Sequence, residues 1–135
     1  MKYGPIGFDA NCGVGASDLL RTVLGLSENA DRPVIAKGNA GIPKYVDGHI
    51  HYNGTPEIMA EYAILAKACG ASIIGGCCGT MPIHLKAMRK ALDNSKDIEL
   101  PTLAQISNAL GPFSSETDGV GDAPKPARIR RGQRR

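Results

Sequence analysis

The segment Ala71-Ser72-Ile73-Ile74-Gly75-Gly76-Cys77-Cys78-Gly79-Thr80 decides the fold. Its first four residues are small or β-branched and mostly apolar, as expected of a short strand covered on both faces. Glycines then flank a cysteine pair, and regular structure does not continue easily through so many glycines. Thr80 is a suitable N-cap for a helix whose apolar face includes Leu85, Met88 and Leu92.

The same grammar occurs twice upstream. Residues 6–10 read as a strand that ends in Asn11-Cys12-Gly13-Val14-Gly15. Ser17 then offers an N-cap for a helix with Leu19, Leu20, Val23 and Leu24 on one side. Residues 33–37 form a second strand, ending in Gly38-Asn39-Ala40-Gly41-Ile42-Pro43. A polar connection covers 44–54. Thr55-Pro56-Glu57 opens a helix carrying Ile58, Tyr62, Leu65 and Cys69 at helical spacing, and Gly70 stops it. Residues 99–110 add a further helix.

Alternating strands and helices imply an α/β fold with parallel strands and right-handed crossovers. In such folds the loops at the carboxyl ends of the strands share one face, where sites form. Asn11, Cys12, Asn39, Cys77 and Cys78 should therefore converge. We divide the chain into a structured part, 1–110, and a disordered basic tail, 111–135, rich in Gly, Ser, Pro, Asp and Arg.

A chain of 135 residues is one domain and is too short for a complete eight-stranded α/β barrel, which needs roughly 200 residues. The net charge of +3 belongs to the tail, because residues 1–110 balance ten basic against ten acidic side chains. The body thus has no basic footprint for nucleic acid. No apolar run is long enough for a membrane span, and the first residues lack the pattern of a signal peptide. The expected compartment is the reducing cytoplasm, where cysteines serve more often as ligands or nucleophiles than as disulfides.

Cys12, Cys77 and Cys78, on one face, suit a zinc site with three protein ligands and an open position. A thiol redox pair is the alternative, and simple burial is the bland one. Cys69, on the apolar side of its helix, is expected in the core. His49 and His51 alternate in a polar loop, and His84 is expected at the surface of the last helix. Asn11 and Asn39 suit either turns or substrate hydrogen bonds. Lys37 ends its strand on the active face. Neither G-x-x-x-x-G-K-[ST] nor G-x-G-x-x-G is present, so the glycine loops are not phosphate cradles of those kinds.

The blocks Asn11-Cys12-Gly13, Asn39-Ala40-Gly41-Ile42-Pro43 and Gly75-Gly76-Cys77-Cys78-Gly79-Thr80 resemble the zinc-dependent homocysteine S-methyltransferase family, in its bacterial betaine–homocysteine flavour. The resemblance covers about residues 5–93. It implies the last three βα units of a (β/α)8 TIM barrel, so the chain is expected to be a C-terminal portion with an incomplete barrel. It implies Zn2+ on Cys12, Cys77 and Cys78. The implied reaction is methyl transfer to the thiol of homocysteine, giving methionine. Betaine is the expected donor, ahead of S-methylmethionine, dimethylsulfoniopropionate and methyltetrahydrofolate. Gly38 stands where many members have proline. Alternatives are an inactive or complementing zinc-binding fragment that needs a separate N-terminal half-barrel or a second copy, and a thiol redox protein.

Overall fold

Three parallel strands lie side by side in the order in which the chain makes them. In the computed structural model, which describes residues 4–115, the chain runs β1 (Phe8–Cys12), α1 (Ala16–Ser27), β2 (Val34–Gly38), β3 (Pro43–Val46), β4 (His49–Tyr52), α2 (Pro56–Ala68), β5 (Ala71–Gly76), α3 (Pro82–Asn94) and α4 (Leu103–Leu110). β2 is the centre of the parallel sheet, with β1 and β5 on its flanks. Each strand runs further toward its glycine loop than the sequence suggests, so Cys12 is the last residue of β1.

The helices form for reasons visible in the chain. Thr55 caps α2, its hydroxyl accepting the Ile58 N–H at 3.3 Å, and Pro56 opens the first turn. Thr102 and Gln105 form a reciprocal cap at the start of α4. Two expected caps are corrected. Gly15, not Ser17, precedes α1; Ser17 is buried in the first turn, where its hydroxyl donates to the Gly111 carbonyl at 2.6 Å. Met81, not Thr80, precedes α3, because Pro82 is best placed at the first helical position.

One face of the sheet carries the core. Ala10, Val34, Ala36 and Ala71 pack against Leu19, Leu20 and Val23 of α1 and against Met59, Tyr62, Ala63 and Ala66 of α2. Alanines on the strands let the helices approach closely. Tyr62, wholly buried, offers its hydroxyl oxygen to the Gly38 N–H at 2.9 Å. Leu85, read as part of the α3 core stripe, is exposed, whereas Met88 is buried.

The strand order has no reversal, so the sheet is singly wound; a doubly wound sheet reverses its order and carries helices on both faces. Here the second face is open. By register Asp9, Asn11, Ile35, Lys37, Ile73 and Gly75 share it, and Ile73 is 55% exposed. Lys37 reaches Asp9 across this face at 2.9 Å and holds its carboxyl below the usual carboxylate value.

The segment read as a polar connection is in part a β-hairpin. β3 and β4 pair antiparallel through Lys44↔His51 and Tyr45↔Ile50, around an Asp47-Gly48 turn. Both turn residues have positive φ (49° and 83°), the demand of a tight primed turn that Asp-Gly meets.

The first residues of the expected tail lie against α1. Ser114 bonds the Asp18 carboxylate through its N–H and hydroxyl, and the Arg21 guanidinium sits 3.8 Å from the Phe113 ring centre. The rest of that tail, 116–135, lies outside the described residues.

Replacing Tyr62 with Phe leaves the buried Gly38 N–H without its partner. The expected loss is about 1–3 kcal/mol, seen as a lower urea midpoint with unchanged slope.

Candidate metal centre

β1 and β5 flank β2, so their ends are about 9–10 Å apart, two strand spacings. Yet the Cys12 sulfur lies 3.7 Å from that of Cys78, and Cys77 and Cys78 are 3.9 Å apart. All three sulfurs lie within 4.8 Å of one another, a set that could hold a metal ion. Ligands around a tetrahedral ion with sulfur bonds of about 2.3 Å stand about 3.8 Å from each other. The donors are thus already at metal-binding spacing.

Local backbone geometry brings them in. Cys12 has φ of 61°, a left-handed value that costs a non-glycine residue roughly 1–2 kcal/mol. By register it would otherwise share the helix-covered face with Gly38. On the other side, Cys77 donates its N–H to the Gly38 carbonyl at 2.8 Å, and Ala40 donates to the Cys78 carbonyl at 2.9 Å. Thr80 closes the cysteine turn by donating to the Cys77 carbonyl at 3.2 Å.

Asn39 is the cross-piece. It is 1% exposed, its Nδ2 donates to the Gly13 carbonyl at 3.0 Å, and its Oδ1 accepts the Cys78 N–H at 3.1 Å. One amide therefore ties the loop after β1 to the loop after β5. Asn11 lies apart, on the open sheet face, with its amide donating to Asp9 at 3.0 Å.

The thiols influence one another. Sulfur hydrogen bonds from Cys78 and Cys77 hold Cys12 below the ordinary thiol value, and its partners Cys12 and Cys77 keep Cys78 above it. Cys69 is different: it is 1% exposed in the core, and burial pushes it up to about 11.

Two contributors were not apparent in the sequence. His84 is buried, correcting its surface assignment. Its Nδ1 accepts the Met81 N–H at 2.9 Å, and its Nε2 meets the Gly54 carbonyl at 3.0 Å, so one neutral tautomer satisfies both. It thereby ties α3, which follows the cysteine turn, to the entry of α2. Tyr52, at the end of β4, lays its ring over Gly79, where φ is 74° and any side chain would strike that ring. Desolvation and the neighbouring Cys78 sulfur both raise its phenol above the ordinary value. An Asp-Gly turn between Lys44-Tyr45-Val46 and His49-Ile50-His51-Tyr52 is the signal that would have found the hairpin carrying it. His49 and His51 stay on the exposed hairpin, away from the sulfurs' cluster.

In metal-free protein at pH 8, a thiol reagent should modify Cys12, Cys77 and Cys78 and spare Cys69 until unfolding. At pH 8 only roughly a thousandth of a thiol with Cys69's value is ionised. Peptide mapping by mass spectrometry checks this, and fast labelling of Cys69 would contradict the burial. Asn39→Ala should weaken zinc affinity by about tenfold or more in a chelator competition, by freeing both loops.

Comparison with known proteins agrees with this site. Residues 1–92 match the homocysteine S-methyltransferase family, a span that contains all three cysteines of the cluster. Methionine synthase from Mycobacterium tuberculosis is 31% identical over 121 residues, 83% of this chain and 10% of that protein. Methionine synthase from Mycobacterium leprae is 30% identical over 134 residues, 96% of this chain and 11% of that protein. The chain thus spans about a tenth of the length of these relatives. On the strength of the family match over most of its length, this chain belongs to the homocysteine S-methyltransferase family.

Proposed function

We propose that this chain forms the zinc-binding end of an enzyme that methylates homocysteine to methionine, with Cys12, Cys77 and Cys78 as the protein ligands. The observation that carries the proposal is the set of sulfurs from two separate loops, held within 4.8 Å of one another inside the family-matching span. Zinc bound there would supply Lewis acidity that keeps a substrate thiol ionised near neutral pH.

The chain's own part is placement. The homocysteine thiol gives its proton to solvent, and the sulfur attacks a methyl carbon of the donor. An S–C bond forms as the donor's C–N bond breaks, and the electron pair stays on nitrogen. With betaine, the donor we propose on the resemblance of the three blocks, the product is a tertiary amine. A cationic leaving nitrogen needs no protein nucleophile, so alignment dominates the contribution. Asn39 would meet substrate from a fixed orientation, with the second lone pair of Oδ1. Asn11 would do so from the open sheet face beside Asp9 and Lys37.

That open face supports a second element of the proposal. Residues 1–110 are read as three βα units of a (β/α)8 barrel, completed by further strands from an N-terminal half-barrel or by a second copy, with 111–135 as a separate basic tail. The uncovered Ile73 and the free outer edges of β1 and β5, among the described residues, are what such strands would cover. Reduced thiols fit a cytoplasmic setting. Among the described residues no helix is long and apolar enough to cross a membrane.

Metal analysis of the reduced protein should give one zinc per chain, and Cys12→Ser should lose it. Absence of zinc in the unmodified chain would overturn the proposal. With homocysteine and betaine, methionine should form when the remaining barrel strands are supplied and fall at least a hundredfold in Cys12→Ser. Equal turnover by this chain alone would refute the need for completion. Parallel reactions with S-methylmethionine and methyltetrahydrofolate identify the donor.

A further inference from the structure

The β3–β4 hairpin reaches the sulfur cluster through one side chain. Tyr52 is the last residue of β4, paired with Pro43, so the hairpin fixes its position from both strands. Its ring covers Gly79, the residue directly after the cysteine pair, and contacts the turn through Cβ, Cγ and Cδ2. Gly79 needs positive φ to complete that turn, and the missing side chain leaves the room the ring occupies. The rest of the turn is held from the β2 side, by the backbone bonds from Cys77 to Gly38 and from Ala40 to Cys78 and by the Asn39 Oδ1 that accepts the Cys78 N–H. Tyr52 therefore adds the side-chain contact on the outer side of a turn otherwise held only from the β2 side.

We propose that Tyr52 is a positioning residue of the metal centre, its ring clamping the Cys77–Gly79 turn that carries two of the three sulfurs. This rests on the reading of the three cysteines as metal ligands. The ring restricts where Cys78 can sit, which bears on affinity. Cys78 is the most exposed of the three thiols, so it is the one least fixed by surrounding packing and most dependent on such a contact.

The test uses the reduced full chain with cobalt(II) as the spectroscopic probe and zinc in competition. Three proteins are compared: unmodified, Tyr52→Phe and Tyr52→Leu. Tyr52→Phe keeps the ring and should hold zinc affinity within about threefold. Its sulfur-to-cobalt charge-transfer band should stay as in the unmodified protein, because the ring still holds the turn. Tyr52→Leu loses the clamp and should bind zinc about tenfold more weakly, with a weakened charge-transfer band. A tenfold loss already in Tyr52→Phe would overturn the ring as the clamping group. Equal affinity in Tyr52→Leu and Tyr52→Phe would overturn the clamp. If the unmodified chain binds neither cobalt nor zinc, the ligand assignment itself fails and takes this role with it.

Discussion

The buried amide of Asn39 is the constraint on which the site depends. Strand ends lose their ladder partners, and a loop carbonyl or N–H left unpaired in a buried setting costs about as much as a lost hydrogen bond. Asn39 answers one orphan on each side: the Gly13 carbonyl and the Cys78 N–H. Among uncharged side chains of this reach, only a primary amide offers a strong donor and a strong acceptor in a fixed plane. Aspartate would bring two acceptors to the Gly13 carbonyl, and leucine would bring nothing to either. The left-handed turn at Cys12 is held next to this bond, and the cysteine pair hangs from its other end. The sulfur spacing therefore comes from hydrogen bonding in the protein itself.

Much of the fold was legible because period and punctuation agree in this chain. Thr55-Pro56 and Gly70 bracket α2 as read, and the three glycine loops do follow three parallel strands. The cysteine cluster was legible for the same reason: loops at the carboxyl ends of the strands of one parallel sheet share one face, although β2 stands between the two strands that carry the cysteines. What escaped the reading was tertiary. His84 looks like a surface residue in a helical first turn, and only the proximity of Gly54 makes burial affordable. Ser17 looks like a cap, but Gly111, far along the chain, claims its hydroxyl. Tyr52 lay in a segment too polar to suggest a strand, although its Asp-Gly turn was in plain view. The division at residue 110 rested on composition, which does not register that Asp18 and Arg21 on α1 have partners beyond it.

The two faces of the sheet make different demands. The helix-covered face presents Ala10, Val34, Ala36 and Ala71 to Leu20 and Val23 of α1 and to Met59 and Tyr62 of α2, and it is complete in itself. The open face mixes an ion pair with Ile35 and Ile73. A paired charge beside aliphatic side chains suits a surface that is partly wet, and it is costly in a dry core unless the pairing is good. In a closed barrel these residues would become interior, with Lys37 and Asp9 already matched to one another. The pairing lets the same strands exist with that face either bare or covered.

Every bond that fixes the three sulfurs runs between neighbouring units: β1 to the loop after β2, that loop to the turn after β5, and the hairpin back onto the turn. None of the described bonds calls on a more distant strand. The centre is in this sense a portable module. Such a module can be cut, duplicated or joined to new neighbours with the spacing of its three sulfurs carried along.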